Sequence, residues 1–185
     1  ALVAQLKWRF KTWSPAQIEH HHQKRIRKLL SILRQKSPYY QKRLRGVLPA
    51  DLAALPFMNK RTLMDNFNDL NTAGLDRDEL IEFKVKQEQQ GLSGLFRDIY
   101  SVGLSSGTSG NQGLTLLSRA ERRDYGPLVM ARVNLPKIRG QYRVLFALRV
   151  NNPAFMEISN RKLFLTHVNY THNPAQLVSI INDKK

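Results

Sequence analysis

Apolar residues at helical spacing mark the first third of the chain. The residues that recur at i, i+3, i+4 and i+7 are Ile26, Leu29, Leu30 and Leu33. This spacing predicts a helix with one apolar stripe. Ser14-Pro15-Ala16-Gln17 predicts its start, because the serine and the glutamine three residues later can accept from free N–H groups. Proline is favoured at the first helical position, where it has no N–H to leave unpaired. Since Ser37 precedes Pro38, the helix should end near Lys36.

Further along, the pattern predicts shorter elements. Residues 38–55 are predicted to form a short helix and a turn, and residues 61–67 another short helix. Residues 68–94 are polar and are predicted to be irregular. Short alternating or apolar runs, which predict strands, occupy residues 98–104, 114–117, 144–148 and 163–165. The run at 144–148 is continuous, as in a buried parallel strand.

Helices are predicted between these strands. The sequence Ser118-Arg119-Ala120-Glu121 is a capping box, and Asn173-Pro174 caps a last helix. The first of these helices contains Gly126-Pro127, so a kink is expected. We therefore predict an α/β fold. A basic helical region with an irregular linker, 1–97, precedes a partial α/β subdomain, 98–185, in which part of a mixed or parallel sheet is flanked by helices.

Composition excludes several classes of protein. The 185 residues contain no cysteine, which excludes a disulfide scaffold, a thiolate zinc site and a cysteine nucleophile. His20, His21 and His22 are consecutive and diverge on a helix, so no metal site is predicted. No apolar run approaches the roughly 20 residues that span a bilayer. We therefore expect a cytoplasmic protein with no membrane partner, and we make no prediction of its oligomeric state.

Charge is the abnormal bulk property, at a net +16. Residues 1–47 hold twelve basic residues and one acidic residue, Glu19, for a local net charge of +11. Such a field attracts polyanions. An alternative function is therefore a non-catalytic module that binds nucleic acid or another polyanion, with Trp8, Trp13, Tyr39 and Tyr40 as stacking candidates. Core packing is the favoured interpretation of those aromatic residues.

The segment most informative about chemistry is the loop 103–113. It contains four glycines, three serines and a threonine. Glycines allow tight turns that expose N–H groups, and the hydroxyls add donors, so the loop is suited to bind phosphate oxygens. It contains no G-K-[ST] Walker signature, no G-x-G-x-x-G opening a helix and no G-x-S-x-G. A surface linker is the other interpretation, but apolar strand-like residues flank the loop closely.

The hexapeptide Ser105-Ser106-Gly107-Thr108-Ser109-Gly110 resembles the phosphate-binding signature of the adenylate-forming superfamily, which includes acyl- and aryl-CoA synthetases. In that family the signature lies between two strands and binds the phosphates of ATP. Ser37-Pro38-Tyr39-Tyr40-Gln41-Lys42-Arg43-Leu44 is similar to the opening of phenylacetate–CoA ligases. Leu55-Pro56-Phe57-Met58-Asn59-Lys60 resembles their next signature. Residues 67–74 and 145–152 resemble the branch that includes deazaflavin-coenzyme adenylyl synthetases.

The resemblance implies an ATP-dependent ligase that activates a carboxylate as an acyl adenylate, with Mg²⁺ and in some cases coenzyme A as acceptor. Ser105, Ser106, Thr108 and Ser109 would contact the β- and γ-phosphates, and Gly107 and Gly110 would let the backbone approach. The residues Asn111-Gln112-Gly113 stand where the family commonly has a lysine or proline. No catalytic residue is assigned.

Later family motifs, which bind adenine and ribose and supply a C-terminal lysine, have no counterpart in this sequence. We therefore expect the chain to be an N-terminal portion, an incomplete subdomain of such an enzyme. The 185 residues alone should not catalyse adenylation, because the adenine, ribose and acyl pockets are missing. Radiolabelled pyrophosphate exchange into ATP tests this prediction, and detectable exchange would contradict it.

Overall fold

The computed structural model describes residues 2–46, 57–105, 107, 112–132, 140–148, 151–169 and 174–183. Within them the chain forms the helices α1 (Leu2–Thr12), α2 (Pro15–Lys36), α3 (Pro38–Arg43), α4 (Lys60–Asp65), α5 (Phe67–Leu70), α6 (Arg77–Gln89), α7 (Arg119–Arg132), α8 (Pro153–Met156) and α9 (Pro174–Asp183). The strands are β1 (Ser101–Leu104), β2 (Leu114–Leu117), β3 (Tyr142–Ala147) and β4 (Leu163–Val168). The chain is therefore a mixed α/β protein. None of the described helices is both long and apolar enough to cross a bilayer.

The chain divides into two compact units. One comprises Ala1–Trp8, Phe83–Gly103 and Thr115–Lys185, and the other comprises Arg9–Glu82 and Leu104–Leu114. Buried apolar side chains of the first unit are Val102, Ala154, Leu163, Leu165 and Val168. Those of the second unit are Leu30, Tyr39, Leu44, Phe67, Leu75, Leu80 and Leu114. Each unit thus has apolar residues of its own that are withdrawn from water, which is the main favourable contribution to folding.

Two small sheets lie in the described residues. One pairs β1 with β2, and the other pairs β3 with β4 in parallel, in a register from Tyr142 opposite Leu163 to Ala147 opposite Val168. The parallel pairing of the apolar run at 144–148 is confirmed. Its complete burial is not, because β3 is only half-buried along its length. On this strand Phe146 stacks on Phe155 at 5.6 Å between ring centroids.

Helix α2 confirms the predicted start and end. The Ser14 hydroxyl accepts from the Gln17 N–H at 3.3 Å, and the Gln17 side chain accepts from the Ser14 N–H at 2.8 Å. Both halves of the capping box are therefore formed. At the other end, buried Ser37 closes α2 and also caps α3, and its hydroxyl donates to the Asp69 carbonyl at 2.9 Å. One serine thus joins three segments of the second unit.

The prediction that residues 68–94 are irregular is wrong, because α6 occupies half of them. The Asp76 carboxylate accepts from the N–H groups of Asp78 at 2.8 Å and Glu79 at 3.0 Å, which satisfies free donors in the first turn. The hydrogen bonds from the Glu79 backbone and from the Asn68 side chain lower the pKa of Asp76. Leu80 then anchors the helix with no exposed surface. Helices α1 and α8 were likewise not predicted.

Helix α7 begins at the predicted capping box. The Ser118 N–H donates to the Glu121 carboxylate at 2.8 Å, and the Ser118 hydroxyl accepts from the Glu121 N–H at 3.4 Å. Buried Arg122 on this helix donates through Nε to Glu157 at 2.8 Å and through its terminal nitrogen to the Ile99 carbonyl. Because a buried guanidinium needs such partners, this pairing connects α7 with the turn after α8.

Several predicted features lie outside the described residues. These are the cap residue Asn173 and the end of the predicted segment 38–55. The strand predicted at 98–104 begins three residues later than expected. A turn precedes it, in which Arg97 and Asp98 both have positive φ angles, of 51° and 58°. This turn brings Phe96 and Tyr100 together as an isolated antiparallel bridge.

Candidate functional site

The loop 105–113 lies between two paired strands, as predicted. Strand β1 ends at Leu104 and β2 begins at Leu114. Of the six predicted phosphate-binding residues, Ser105 and Gly107 are among those that the structure describes. The other four, which lie outside the described residues, are Ser106, Thr108, Ser109 and Gly110. The strand–loop–strand setting is therefore confirmed, and the contacts of those four residues stay a prediction.

The two ends of the loop are held together by Ser105 and Gly113, which we call the loop neck. The Ser105 N–H donates to the Gly113 carbonyl at 2.9 Å, which continues the pairing of the strands by one further bond. The Gly113 N–H donates in turn to the Ser105 hydroxyl oxygen at 2.7 Å. A side-chain bond thus adds to a backbone bond at the same point. These two bonds set the distance between the strand ends from which the loop emerges.

Among the described residues of the loop, Gly107 occupies a position that requires glycine. Its φ angle is +69°, in the left-handed region that other residues rarely adopt. A β-carbon placed there would also lie 2.8 Å from Gln112 Cγ. Since Gln112 is exposed and can move, the backbone angle is the stronger constraint. The expectation that glycine lets this loop turn tightly is therefore supported at one described position.

A lysine from a distant part of the sequence lies at the loop neck. Lys60 Nζ donates to the Ser105 hydroxyl oxygen at 3.4 Å. Its Cε atom would lie 3.2 Å from a β-carbon placed on Gly113, so the lysine stem packs closely against that glycine. The loop has no lysine of its own, and Lys60 brings an ammonium group from 45 residues earlier.

Helix α4 positions this lysine. Asn59 caps the helix by accepting from the Thr62 N–H at 2.8 Å, so that Lys60 is its first residue. One turn later, Met64 Sδ accepts from the Leu114 N–H at 3.4 Å. Residues four apart share a face of a helix, so the same face of α4 contacts both the neck and the start of β2. These contacts all lie within the second unit.

The Ser105 hydroxyl oxygen accepts two hydrogen bonds at the loop neck. A hydroxyl oxygen has two lone pairs and one proton. Both lone pairs of Ser105 are used, by the Gly113 N–H and the Lys60 ammonium. Among the described residues the hydroxyl donates to no acceptor, and an ammonium group lies beside it. An anion is the ligand that an ammonium and a hydroxyl proton bind together.

Sequence reasoning did not single out Lys60 as a site residue. The signal was present, because Lys60 lies in the segment Leu55-Pro56-Phe57-Met58-Asn59-Lys60 on which the family resemblance rests. Its role could not be recognised, since spacing along the chain does not state that α4 packs against a loop 45 residues later. That Lys60 lies beside the loop therefore depends on tertiary packing.

The aromatic residues of the basic region that were candidates for stacking on nucleic acid differ in burial and contacts. Tyr39 is buried, with 8% of its surface exposed, as the core interpretation predicted. The Arg9 guanidinium lies over the Trp13 ring at 4.9 Å, and the His21 ring meets it edge-on at 5.1 Å. Partial burial, followed by repulsion from Arg9 and Arg25, lowers the pKa of His21. Trp8 is 59% exposed.

Comparison of the chain with protein-family models, with curated proteins and with solved structures found no significant match.

Proposed function

We propose that this chain is the phosphate-binding, N-terminal part of an ATP-dependent adenylate-forming ligase. The loop 105–110 would bind the β- and γ-phosphates of ATP, and Mg²⁺ would enter bound to the phosphate oxygens. The α/β fold would then be part of the N-terminal subdomain of such an enzyme. Support comes from the resemblance of the loop and of two upstream segments, and from the strand–loop–strand setting.

The observation that carries the proposal is the position of Lys60. A glycine-rich loop alone offers N–H groups and hydroxyls, whereas a triphosphate also needs positive charge nearby. Lys60 Nζ lies 3.4 Å from Ser105 Oγ, at one end of the loop. Phosphate-binding loops of other proteins combine backbone N–H groups with a lysine that reaches the terminal phosphates. Here the lysine would come from α4.

The reaction proposed for the whole enzyme has two steps. A substrate carboxylate attacks the α-phosphorus of ATP, forming the acyl adenylate while the bond to pyrophosphate breaks. A thiol, such as that of coenzyme A, or another nucleophile then takes the acyl group and releases AMP. In the first step negative charge accumulates on the leaving pyrophosphate. Lys60 and the loop would stabilise that charge by position alone, without touching the reacting carboxylate.

Replacing Lys60 with methionine tests the proposal. Methionine keeps most of the stem that packs against Gly113 and removes the ammonium. A hydrogen bond to a charged group contributes about 1.5–3 kcal/mol, so the affinity for Mg-ATP should fall about 10- to 100-fold. Isothermal titration of the 185-residue chain measures this change. Magnesium tripolyphosphate should lose affinity by the same factor, because the lost contact is to phosphate.

Arg61→Met is the matched control. Arg61 is the next residue on α4, carries the same charge, and forms an exposed pair with Asp65 at 3.8 Å. Its replacement should change the affinity for Mg-ATP less than about threefold, because exposed charges are screened by water and salt. The proposal fails if the unaltered chain binds neither Mg-ATP nor tripolyphosphate, or if both variants lower affinity equally.

A further inference from the structure

One exposed strip of α2 combines apolar and cationic side chains at the spacing of a coiled-coil seam. The strip, which we call the α2 seam, consists of Ile18, His22, Arg25, Leu29, Ile32 and Lys36. The intervals alternate between four and three residues, which keeps the six side chains on one side of the helix over five turns. A surface helix that served only to face water would not need large apolar residues in such a row.

The seam is exposed because α2 uses a different face for the core. Leu30 is 2% exposed, whereas neighbouring Leu29 is 53% exposed. Ile18 and Ile32 are 38% and 37% exposed. All three exposed apolar residues lie on the seam. The helix therefore has a second strip of apolar side chains, which are partly exposed to water.

Charge specifies what this strip could bind. Arg25 and Lys36 lie within the seam, and Lys28 lies along its edge at the position where coiled coils carry their pairing charges. All three side chains are exposed. Residues 2–46 contain twelve basic residues and a single acidic one, Glu19. A partner must therefore be apolar along one line and anionic beside it.

We propose that the α2 seam docks an acidic amphipathic helix of a partner protein. Apolar residues of that helix pack against Ile18, Leu29 and Ile32. Its carboxylates meet Arg25, Lys28 and Lys36, which sets the orientation and accelerates association. The interaction depends on ionic strength because the charges are exposed. This inference is independent of the proposed ATP site.

Two other occupants fit the seam less well. A second copy of α2 would bring Arg25 and Lys36 against like charges, which is unfavourable. Nucleic acid would pair with the cations but would gain nothing from Leu29 and Ile32 and leave them in water. Two of the aromatic candidates for stacking are also engaged within the second unit, since Tyr39 is buried and the Trp13 ring contacts Arg9 and His21.

The probe is a synthetic helix of about three heptads with leucine at the a and d positions and glutamate at the e and g positions. Binding of the fluorescently labelled peptide to the 185-residue chain is followed by anisotropy, at a peptide concentration well below its self-association. A peptide with lysine in place of glutamate is the matched control. We expect saturable binding of the glutamate peptide, weakened about tenfold or more by raised salt, and none of the lysine peptide.

Two pairs of substitutions separate the seam from the general positive charge. Arg25→Glu with Lys28→Glu should weaken peptide binding at least about tenfold. Lys42→Glu with Arg45→Glu makes the same change in net charge at exposed positions outside α2. This pair should change the affinity for the peptide less than about threefold. Leu29→Gln with Ile32→Gln removes the apolar contacts and should also weaken binding about tenfold. Circular dichroism checks that each variant keeps its helix content.

Three results would overturn the inference. In one, the glutamate peptide does not bind. In another, both charge reversals weaken binding equally, so that only diffuse charge matters. In the third, single-stranded or duplex DNA binds more tightly than the peptide and the Leu29/Ile32 variant leaves that affinity unchanged, which would assign the surface to nucleic acid.

Discussion

Leu30→Ala is expected to lower the free energy of unfolding by about 2–5 kcal/mol, and Leu29→Ala by less than about 1 kcal/mol. Leu30 is 2% exposed, so its truncation removes buried methyl groups and leaves a cavity. Leu29 is 53% exposed and loses little on truncation. Both residues are leucines, and both lie in α2 and in the predicted apolar stripe. A difference in stability between the two variants therefore reports the difference in tertiary burial.

Urea unfolding followed by circular dichroism at 222 nm measures both changes as shifts of the midpoint. Helix propensity cancels from the comparison, because both substitutions exchange leucine for alanine inside α2. Equal midpoints for the two variants would mean that α2 buries neither leucine, or both. In that case the exposed α2 seam would also lose its basis, since the seam depends on Leu29 being in water.

Tyr39→Ala is expected to cost about 3–5 kcal/mol, whereas Tyr39→Phe should cost less than about 1 kcal/mol. The Tyr39 ring is 8% exposed, meets the Tyr40 ring edge-on at 5.4 Å and lies under the Arg43 guanidinium at 4.8 Å. Its hydroxyl is buried and hydrogen-bonds no group among the described residues. Phenylalanine therefore keeps every ring contact and removes a polar atom that gains little.

The same unfolding measurement serves for this pair of variants. Tyr40→Phe is the control for the hydroxyl change, because Tyr40 is only partly buried, and it should leave the midpoint within about 0.5 kcal/mol. A large loss for Tyr39→Phe would show that the hydroxyl has a partner. A small loss for Tyr39→Ala would show that the ring lies outside the core, which would restore it as a stacking candidate.

Capping residues in the sequence predicted the bounds of the helices that they begin or end. The bounds of α2 followed from Ser14, Gln17 and Pro38, which act within a few residues of the helix ends. The start of α7 followed in the same way from Ser118 and Glu121. Helix α6 was missed, because polar residues dominate its sequence and its cap, Asp76, was not recognised. Its stability comes from the cap together with a few buried residues such as Leu80.

The pairing of β3 with β4 and the contact between Lys60 and the loop could not be predicted from the sequence. The run at 144–148 indicated a strand that prefers parallel neighbours, but its partner and register depend on which segments meet after a crossover. The incomplete burial of β3 was also unforeseen, since burial depends on what packs over the sheet. At the loop, residue types predicted anion binding, whereas Lys60, which contacts Ser105, is 45 residues away along the chain.

By itself, then, the sequence determined the caps, the strand–loop–strand order around residues 105–113, the requirement for glycine in that loop and the strong positive charge of residues 1–47. Tertiary structure alone decided that Leu30 is buried and Leu29 is not, and that Lys60 lies beside Ser105. The reason is the separation along the chain of the residues that interact. Caps and turns are set by hydrogen bonds within a few residues, whereas burial and long-range contacts depend on how the elements pack against one another.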